Sequence, residues 1–416
     1  MQDRQIAWAS ARTPPDAKIV SHGGTTGLGR GAAPILSAVR ICIASGTFPP
    51  DVGGPPTYLA QLIPALAARG HAVHVVTYGE SQLTDLPCSI ERVSRSSPIG
   101  IRLARFAAAV FRGTRDGDLL FVSDYGFPPA LINTVRRQPM VIKVVGDFAW
   151  EYSVRHHLGV DAVGIDEFQM LAGSPLVRLL KRLQQAYVSA ADRVIVPSKY
   201  LRSIVSGWGI SSSKIRLVRN AVTTPAEEAP LSAQPPVVLT VARLAPWKGI
   251  DTLIQAIGQV DVQSNGPRLI VAGDGDDRAR LELLASQIAP GRVTFLGEVD
   301  RSAVQNLLLH SSVLALASGY EGLSHVLLEG MASGLPIIAS DIEGNRELIT
   351  QGENGWLAQP GDVEGFASAI RQCISSPCTA AEYGRRNRAW SLAHTVEHQV
   401  DKTLEVCLEA MTNRAP

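Results

Sequence analysis

Two carboxylates eight residues apart, Glu321 and Glu329, bracket the segment Glu321-Gly-Leu-Ser-His-Val-Leu-Leu-Glu329-Gly-Met-Ala-Ser-Gly-Leu-Pro. The apolar run at 313–317 reads as a strand, Glu321 falls in a tight turn after it, and the pattern predicts a helix over 324–333 closed by Gly334-Leu-Pro336. Ionised carboxylates accept hydrogen bonds from paired hydroxyls. With Glu321 in the loop and Glu329 two turns into the helix, one suits the hydroxyls of a sugar and the other a ribose. Backbone N–H groups at a helix start favour an anion, which makes Gly322, Leu323 and Ser324 candidates for holding a pyrophosphate.

A second segment supplies positive charge. Val241-Ala-Arg243-Leu-Ala-Pro-Trp-Lys248-Gly249 follows a strand expected over 237–241. Two cations at a strand end can stabilise a departing diphosphate without a metal ion. A third segment, Asp51-Val-Gly53-Gly54-Pro-Pro, follows the first expected strand. Glycine there lets the backbone approach a ligand closely, and the helix that follows adds its dipole.

These loops need elements to hold them. The apolar run at 39–44, a helix over 57–69 and a strand over 72–77 form a βαβ opening, which predicts a parallel sheet. Further strands are expected at 119–123, 141–145, 193–196 and 214–218. The pattern restarts after the linker-like composition of 223–236, with strands at 237–241, 268–272, 292–296, 313–317 and 336–340 alternating with helices at 251–259, 278–287, 301–310 and 324–333. The expectation is an α/β chain of two facing Rossmann-like, doubly wound domains. Residues 1–37 read as a disordered N-terminal tail, 38–222 as the first Rossmann-like domain, 223–236 as a linker and 237–388 as the second. Residues 389–416 read as a C-terminal helix packing back toward the first domain. In such sheets ligands lie outside the carboxyl ends of the strands, so the chemistry is expected in the cleft between the domains.

The Glu321–Glu329 segment resembles the EX7E signature of retaining glycosyltransferases with the two-domain GT-B fold, and is similar to glycosyltransferase family 4, also described as glycosyl transferases group 1. The resemblance covers most of the chain from Val39 to Leu408. It implies that Arg243 and Lys248 bind the diphosphate of a nucleotide-sugar co-substrate, and that Gly53, Gly54 and Gly273 line its site. Phe295-Leu-Gly297 and the loop 341–344 would lie beside it. Asn220-Ala-Val resembles the family's Asn-Gly-Val-Asp with two departures. The reaction it implies moves a hexose from GDP-mannose or a UDP-hexose to a glycan or polyprenyl-linked saccharide, as in cell-surface or exopolysaccharide biosynthesis. A sugar-nucleotide epimerase on the same fold and a non-catalytic donor-binding subunit are the rivals. No cofactor and no metal are implied. In one place the sequence departs from the family: many relatives carry a histidine beside the transferred sugar, and here Val145 takes its place within Lys143-Val-Val-Gly146-Asp147-Phe-Ala-Trp150-Glu151. Asp147 is the nearest candidate for an acid/base role, with a helix N-cap as the alternative, and Glu151 stands one helical turn further on. Trp150 suits a sugar face or the core. His156, His157 and His325 fall in no catalytic pattern and are assigned no catalytic role.

Composition sets the remaining bounds. A net charge of +1 argues against a dedicated nucleic-acid binder. The charge is unevenly spread, however: residues 1–222 hold 25 Lys and Arg against 15 Asp and Glu, and residues 223–416 hold 14 against 23. A basic first half suits an anionic membrane surface or a phosphorylated lipid. The stretches 102–112 and 176–183 mix basic and apolar residues as a membrane-surface or an ordinary amphipathic helix would. Five scattered cysteines form no CxxC pair and read as thiols in a reducing compartment. With no run of about 20 apolar residues and no compact signal region, a cytoplasmic protein touching the inner membrane face is expected.

Overall fold

The computed structural model describes residues 38–413 apart from 52, 81–84, 161–162, 228–234 and 261–265. The tail expected at 1–37 lies outside the described residues.

Seven parallel strands form the first sheet: β1 (Arg40–Ser45), β2 (Ala72–Tyr78), β3 (Ser89–Val93), β4 (Leu119–Ser123), β5 (Met140–Lys143), β6 (Arg193–Val196) and β7 (Ile215–Leu217). They lie in the order β3-β2-β1-β4-β5-β6-β7. The helices of this part are α1 (Gly54–Ala68), α2 (Ile99–Gly113), α3 (Phe127–Arg136), α4 (Phe148–Arg155), α5 (Ile165–Met170), α6 (Pro175–Ser189) and α7 (Lys199–Gly207). The central strands β1, β4, β5 and β6 are continuous apolar runs because helices cover both faces. β3 escaped the sequence reading because it is an edge strand whose Ser-Ile-Glu-Arg-Val stays half-exposed. α1 begins three residues before the expected start because Pro55 and Pro56 sit in its first turn, where a missing N–H costs nothing.

The second sheet has six parallel strands in the order β10-β9-β8-β11-β12-β13. They are β8 (Val237–Val241), β9 (Arg268–Ala272), β10 (Val293–Gly297), β11 (Val313–Leu316), β12 (Ile337–Ser340) and β13 (Gly355–Ala358). Its helices are α8 (Ile250–Gln259), α9 (Arg278–Ile288), α10 (Arg301–Leu309), α11 (His325–Ala332), the short α12 (Glu343–Arg346), α13 (Val363–Ser375) and α14 (Pro377–Ala393). The chain is thus a pair of Rossmann-like domains. Each sheet reverses its strand order once, at β1/β4 and at β8/β11, and ligands of doubly wound sheets bind at such switch points.

The last helix, α15 (Val396–Thr412), packs on β5, β6 and α1 of the first domain. The break before it falls at His394–Thr395, past the change expected at 389, because α14 runs on to Ala393. Glu409 binds Arg193 and Arg216, each at 2.9 Å. Thr403 and the Tyr58 hydroxyl of α1 share a hydrogen bond of 2.9 Å. No helix among the described residues is long and apolar enough to cross a membrane.

Candidate active site

The four loops at the two switch points carry most of the residues singled out above. The loop after β1 runs into Gly53, whose φ of 145° a side chain rarely adopts, and Gly54 opens α1. A Cβ on Gly54 would stand 3.2 Å from His325 Cδ2, so the first residue of α11 closes against the Gly53-Gly54 loop. The same loop is tied down after β4 by the half-buried Asp124, a residue the sequence did not single out. Its carboxylate accepts from Gly46 N at 2.7 Å and Thr47 Oγ1 at 3.0 Å.

After β8, the chain passes Arg243 and enters a 3-10 turn, Pro246–Lys248. The Arg243 guanidinium lies over the Trp247 ring, 5.6 Å from its centroid. Lys248 Nζ donates to Glu321 Oε1 at 2.6 Å, with side-chain exposures of 18% and 11%. The structure therefore joins the loops after β8 and β11 through one ion pair at the switch point. Two glycines allow this approach. A Cβ on Gly249, which has a φ of 61°, would stand 2.2 Å from Ala317 O, and one on Gly344 would stand 1.9 Å from Glu321 O. The loop after β12 thus packs directly on the backbone of Glu321.

Gly273 has a structural duty of the same kind. Its φ is 132°, its N–H donates to Gly297 O at 2.8 Å, and a Cβ would meet Ala242 O at 2.0 Å. Gly273→Ala is expected to cost about 1–3 kcal/mol from the backbone conformation alone, and to push aside the residue next to Arg243. Denaturant unfolding measures the first effect and nucleotide release the second.

Gly322 meets the other domain. A Cβ there would lie 2.6 Å from both Val145 O and Leu201 Cδ1, so the Glu321-Gly322 turn rests on the backbone of Val145. Leu323 is buried, and its carbonyl accepts from Asn220 Nδ2 at 3.5 Å. Ser324 caps α11, its hydroxyl accepting from Leu327 N at 3.3 Å.

The two glutamates do not share one space. Glu329 is turned toward α10 and lines a small cleft with Val222, Thr223, Arg301, Gln305 and Ser333. Burial raises its pKa, and Arg301 opposes the shift.

Asp147 and Glu151 part ways as well. Asp147 is 1% exposed and caps α4: Oδ1 accepts from Trp150 N and Gln184 Nε2, each at 3.0 Å, and Oδ2 from Gln169 Nε2 at 2.9 Å. With three protein donors and almost no exposure, its carboxylate is committed to the helix start. Glu151 instead reaches back over Gly146, where a Cβ would lie 2.5 Å from Glu151 Oε1 and 3.4 Å from Tyr320 Oη. Burial raises the Glu151 pKa, and the charges of Arg243 and Lys248 pull it down. Glu151 is therefore a carboxylate of the first domain within electrostatic reach of the two cations of the second. The Tyr320 hydroxyl beside it is buried without a hydrogen-bond partner among the described residues. Trp150 is core, edge-on to Tyr320 at 5.3 Å and to Trp247 at 5.8 Å, in an aromatic cluster shared by both domains.

Lys143 is a residue that the sequence reading passed over. It is fully buried at the end of β5, donates to Asn220 Oδ1 at 2.7 Å and stands 3.5 Å above the Tyr58 ring. Burial pushes it down from 10.5 to about 7. Between those values the unfolded chain binds a proton that the folded chain does not, so this group makes stability rise with pH from about 7 to 10.5. Lys143→Met is expected to remove the dependence. Its melting-temperature advantage over wild type should be largest at pH 7 and shrink as the pH rises, which thermal melts across that window measure.

Comparison with known proteins agrees with this architecture. Residues 224–390 match the family described as Glycosyl transferases group 1, and residues 52–225 match Glycosyltransferase Family 4. The chain is 27% identical over 380 residues to a glycogen synthase of Mycobacterium tuberculosis, covering 84% of this chain and 89% of that one. It is 34% identical over 173 residues to the lipopolysaccharide core biosynthesis glycosyltransferase LpsE of Rhizobium meliloti, covering 41% of this chain and 47% of the other. Among solved structures, Anabaena Alr3699/HepE in complex with UDP and glucose superposes with a TM-score of 0.72 at 20% identity, over 88% of this chain and 98% of that one. The two consecutive family matches, the paired parallel sheets and the full-length relatives lead to one assignment: the chain belongs to the GT-B glycosyltransferases of the family 4 type.

Proposed function

We propose that this glycosyltransferase moves a hexose from GDP-mannose or a UDP-hexose to a glycan or polyprenyl-linked saccharide, with retention of anomeric configuration, in cell-surface or exopolysaccharide synthesis. The observation that carries the reading is the Lys248–Glu321 ion pair at the switch point of the second sheet, with Arg243 in the same loop as Lys248 and Glu151 of the first domain within electrostatic reach of both cations. Arg243 and Lys248 neutralise the diphosphate as the bond from sugar C1 to phosphate oxygen breaks. The Gly53-Gly54 loop and the α11 start, with Gly322, Leu323 and Ser324, add backbone N–H groups. Glu321 positions sugar hydroxyls and Glu329 the ribose, while Gly273 keeps the Arg243 loop in place. The acceptor oxygen bonds to C1 on the face the diphosphate leaves, and its proton passes to the departing phosphate oxygen. No protein nucleophile is needed, and the two cations take the role a metal ion would have. HepE, of like fold, was seen with UDP and glucose, which supports a nucleotide-sugar donor of this size.

The test is release of free nucleoside diphosphate from a panel of nucleotide sugars, with and without a membrane lipid extract and with and without chelator. Turnover of one donor that survives chelator and is stimulated by the extract is expected. An isomerised sugar nucleotide without acceptor would instead establish the epimerase, and loss of activity in chelator would overturn the metal-free mechanism. Silence with every donor, together with no donor binding, would leave a non-catalytic subunit.

A further inference from the structure

The first domain presents an unusual outer face. α3 packs against both α2 and α6, so the three helices lie side by side on one face of the first sheet, while α1 and α15 pack against each other elsewhere on the domain. None of the three contains an Asp or Glu, yet they carry Arg102, Arg105, Arg112, Arg136, Arg178, Lys181 and Arg182. They also carry seven large apolar side chains exposed to solvent: Ile99, Ile101, Phe111, Leu131, Val135, Leu176 and Leu179. Val135 is 71% exposed and Leu179 60%. The core explains none of these seven, because the buried stripes of the same helices are other residues, such as Phe106, Val110, Ala130, Val177 and Leu180.

The two residue types are interleaved. Phe111 of α2 lies under the Arg136 guanidinium of α3, 3.6 Å from the ring centroid. Arg105 donates to Ser97 Oγ and Arg178 to the Gly173 carbonyl, and neither they nor Arg182 pair with a carboxylate among the described residues. A dry protein interface would strand these guanidinium groups, at the cost of desolvating unpaired charge. A bilayer surface satisfies both types at once: arginines meet lipid phosphates, and apolar side chains sink into the boundary between headgroups and acyl chains.

We propose that the α2–α3–α6 face docks the enzyme on an anionic phospholipid bilayer. Its purpose rests on the lipid-linked acceptor proposed above; its binding rests on the surface alone. Arginine contacts give the attraction its dependence on anionic lipid and on salt. Ile101, Leu131 and Leu179 supply the apolar insertion that persists when salt screens the charge.

The test is co-sedimentation of the full chain with phosphatidylcholine vesicles, with and without phosphatidylglycerol, at low and high salt. Binding is expected only with phosphatidylglycerol and is expected to weaken with salt. At about fivefold per basic residue near an anionic surface, Arg105→Gln/Arg178→Gln/Arg182→Gln should lower partitioning roughly a hundredfold. Ile101→Ser/Leu131→Ser/Leu179→Ser should lower what remains at high salt. Donor hydrolysis in solution should stay at the wild-type rate in both variants, which shows that they are folded. Because that readout needs no vesicle, a failed docking and a failed donor assignment are told apart. Equal binding to neutral and anionic vesicles, wild-type partitioning by both variants, or a dimer in solution that the serine variant dissociates would overturn the proposal. The last outcome would assign the face to a second copy of the chain.

Discussion

Lys248→Ala is expected to lower the rate of nucleoside diphosphate release by roughly 10²–10³, the loss typical when one preorganised charge-stabilising group is removed from a site. The ammonium is held at 2.6 Å from Glu321 by a 3-10 turn that only Gly249 can close, so its position does not depend on the ligand. Deleting it has two consequences. Leaving-group charge goes unneutralised, and the Glu321 carboxylate is left without its partner in a poorly solvated place, which costs stability. A second variant separates them. Lys248→Ala/Glu321→Gln removes the stranded charge and should regain much of the melting temperature lost by Lys248→Ala, with no recovery of turnover. Steady-state release assays and thermal melts on the three proteins read both effects. Restoration of turnover in the double variant would show that Lys248 serves only to neutralise Glu321.

Glu151→Gln is expected to lower kcat by roughly 100-fold, the low end of the loss when one preorganised charged group is removed from a site, while Asp147→Asn leaves kcat per folded molecule near wild type. Glu151 lies within electrostatic reach of Arg243 and Lys248, and Asp147 is occupied by Trp150 N, Gln169 and Gln184. Burial holds the Glu151 carboxyl above its ordinary 4.5. The acidic limb of the wild-type pH–rate profile should therefore lie above 4.5 and be absent from Glu151→Gln. Stability should move the other way. A carboxyl with a raised folded-state pKa stabilises the fold when protonated and loses that contribution as pH rises through the folded value. Glu151→Gln should accordingly melt higher than wild type at neutral pH, as expected of a residue kept for activity at a cost in stability. A pH–rate profile in Glu151→Gln that keeps the acidic limb, or an equal kcat loss in Asp147→Asn, would remove Glu151 from the mechanism.

Much of this was legible in the residues themselves. Alternating apolar runs and helical stretches announce two parallel sheets, because a strand buried on both faces must be apolar throughout and the crossover between parallel strands must be long. The Glu321–Glu329 spacing and the Arg243–Lys248 segment carry the family resemblance, and through it the expectation of a nucleotide-diphosphate donor, to which the two cations add a physical reason. The weakly patterned edge strands β3 and β13 were missed, because a strand exposed at an edge or only four residues long leaves little hydrophobic signal. Other features belong to the tertiary structure alone. Asp147 and Glu151 are one helical turn apart, and periodicity cannot say which of them caps the helix and which looks into the cleft. That choice falls to Gln169 and Gln184, which arrive from α5 and α6. Lys143 reads as one polar residue in a strand, and becomes a buried amine only once Tyr58 and Asn220 close over it. Local sequence specifies backbone direction and which face is apolar, whereas a site is made of side chains from segments up to hundreds of residues apart, and only packing decides which of them meet.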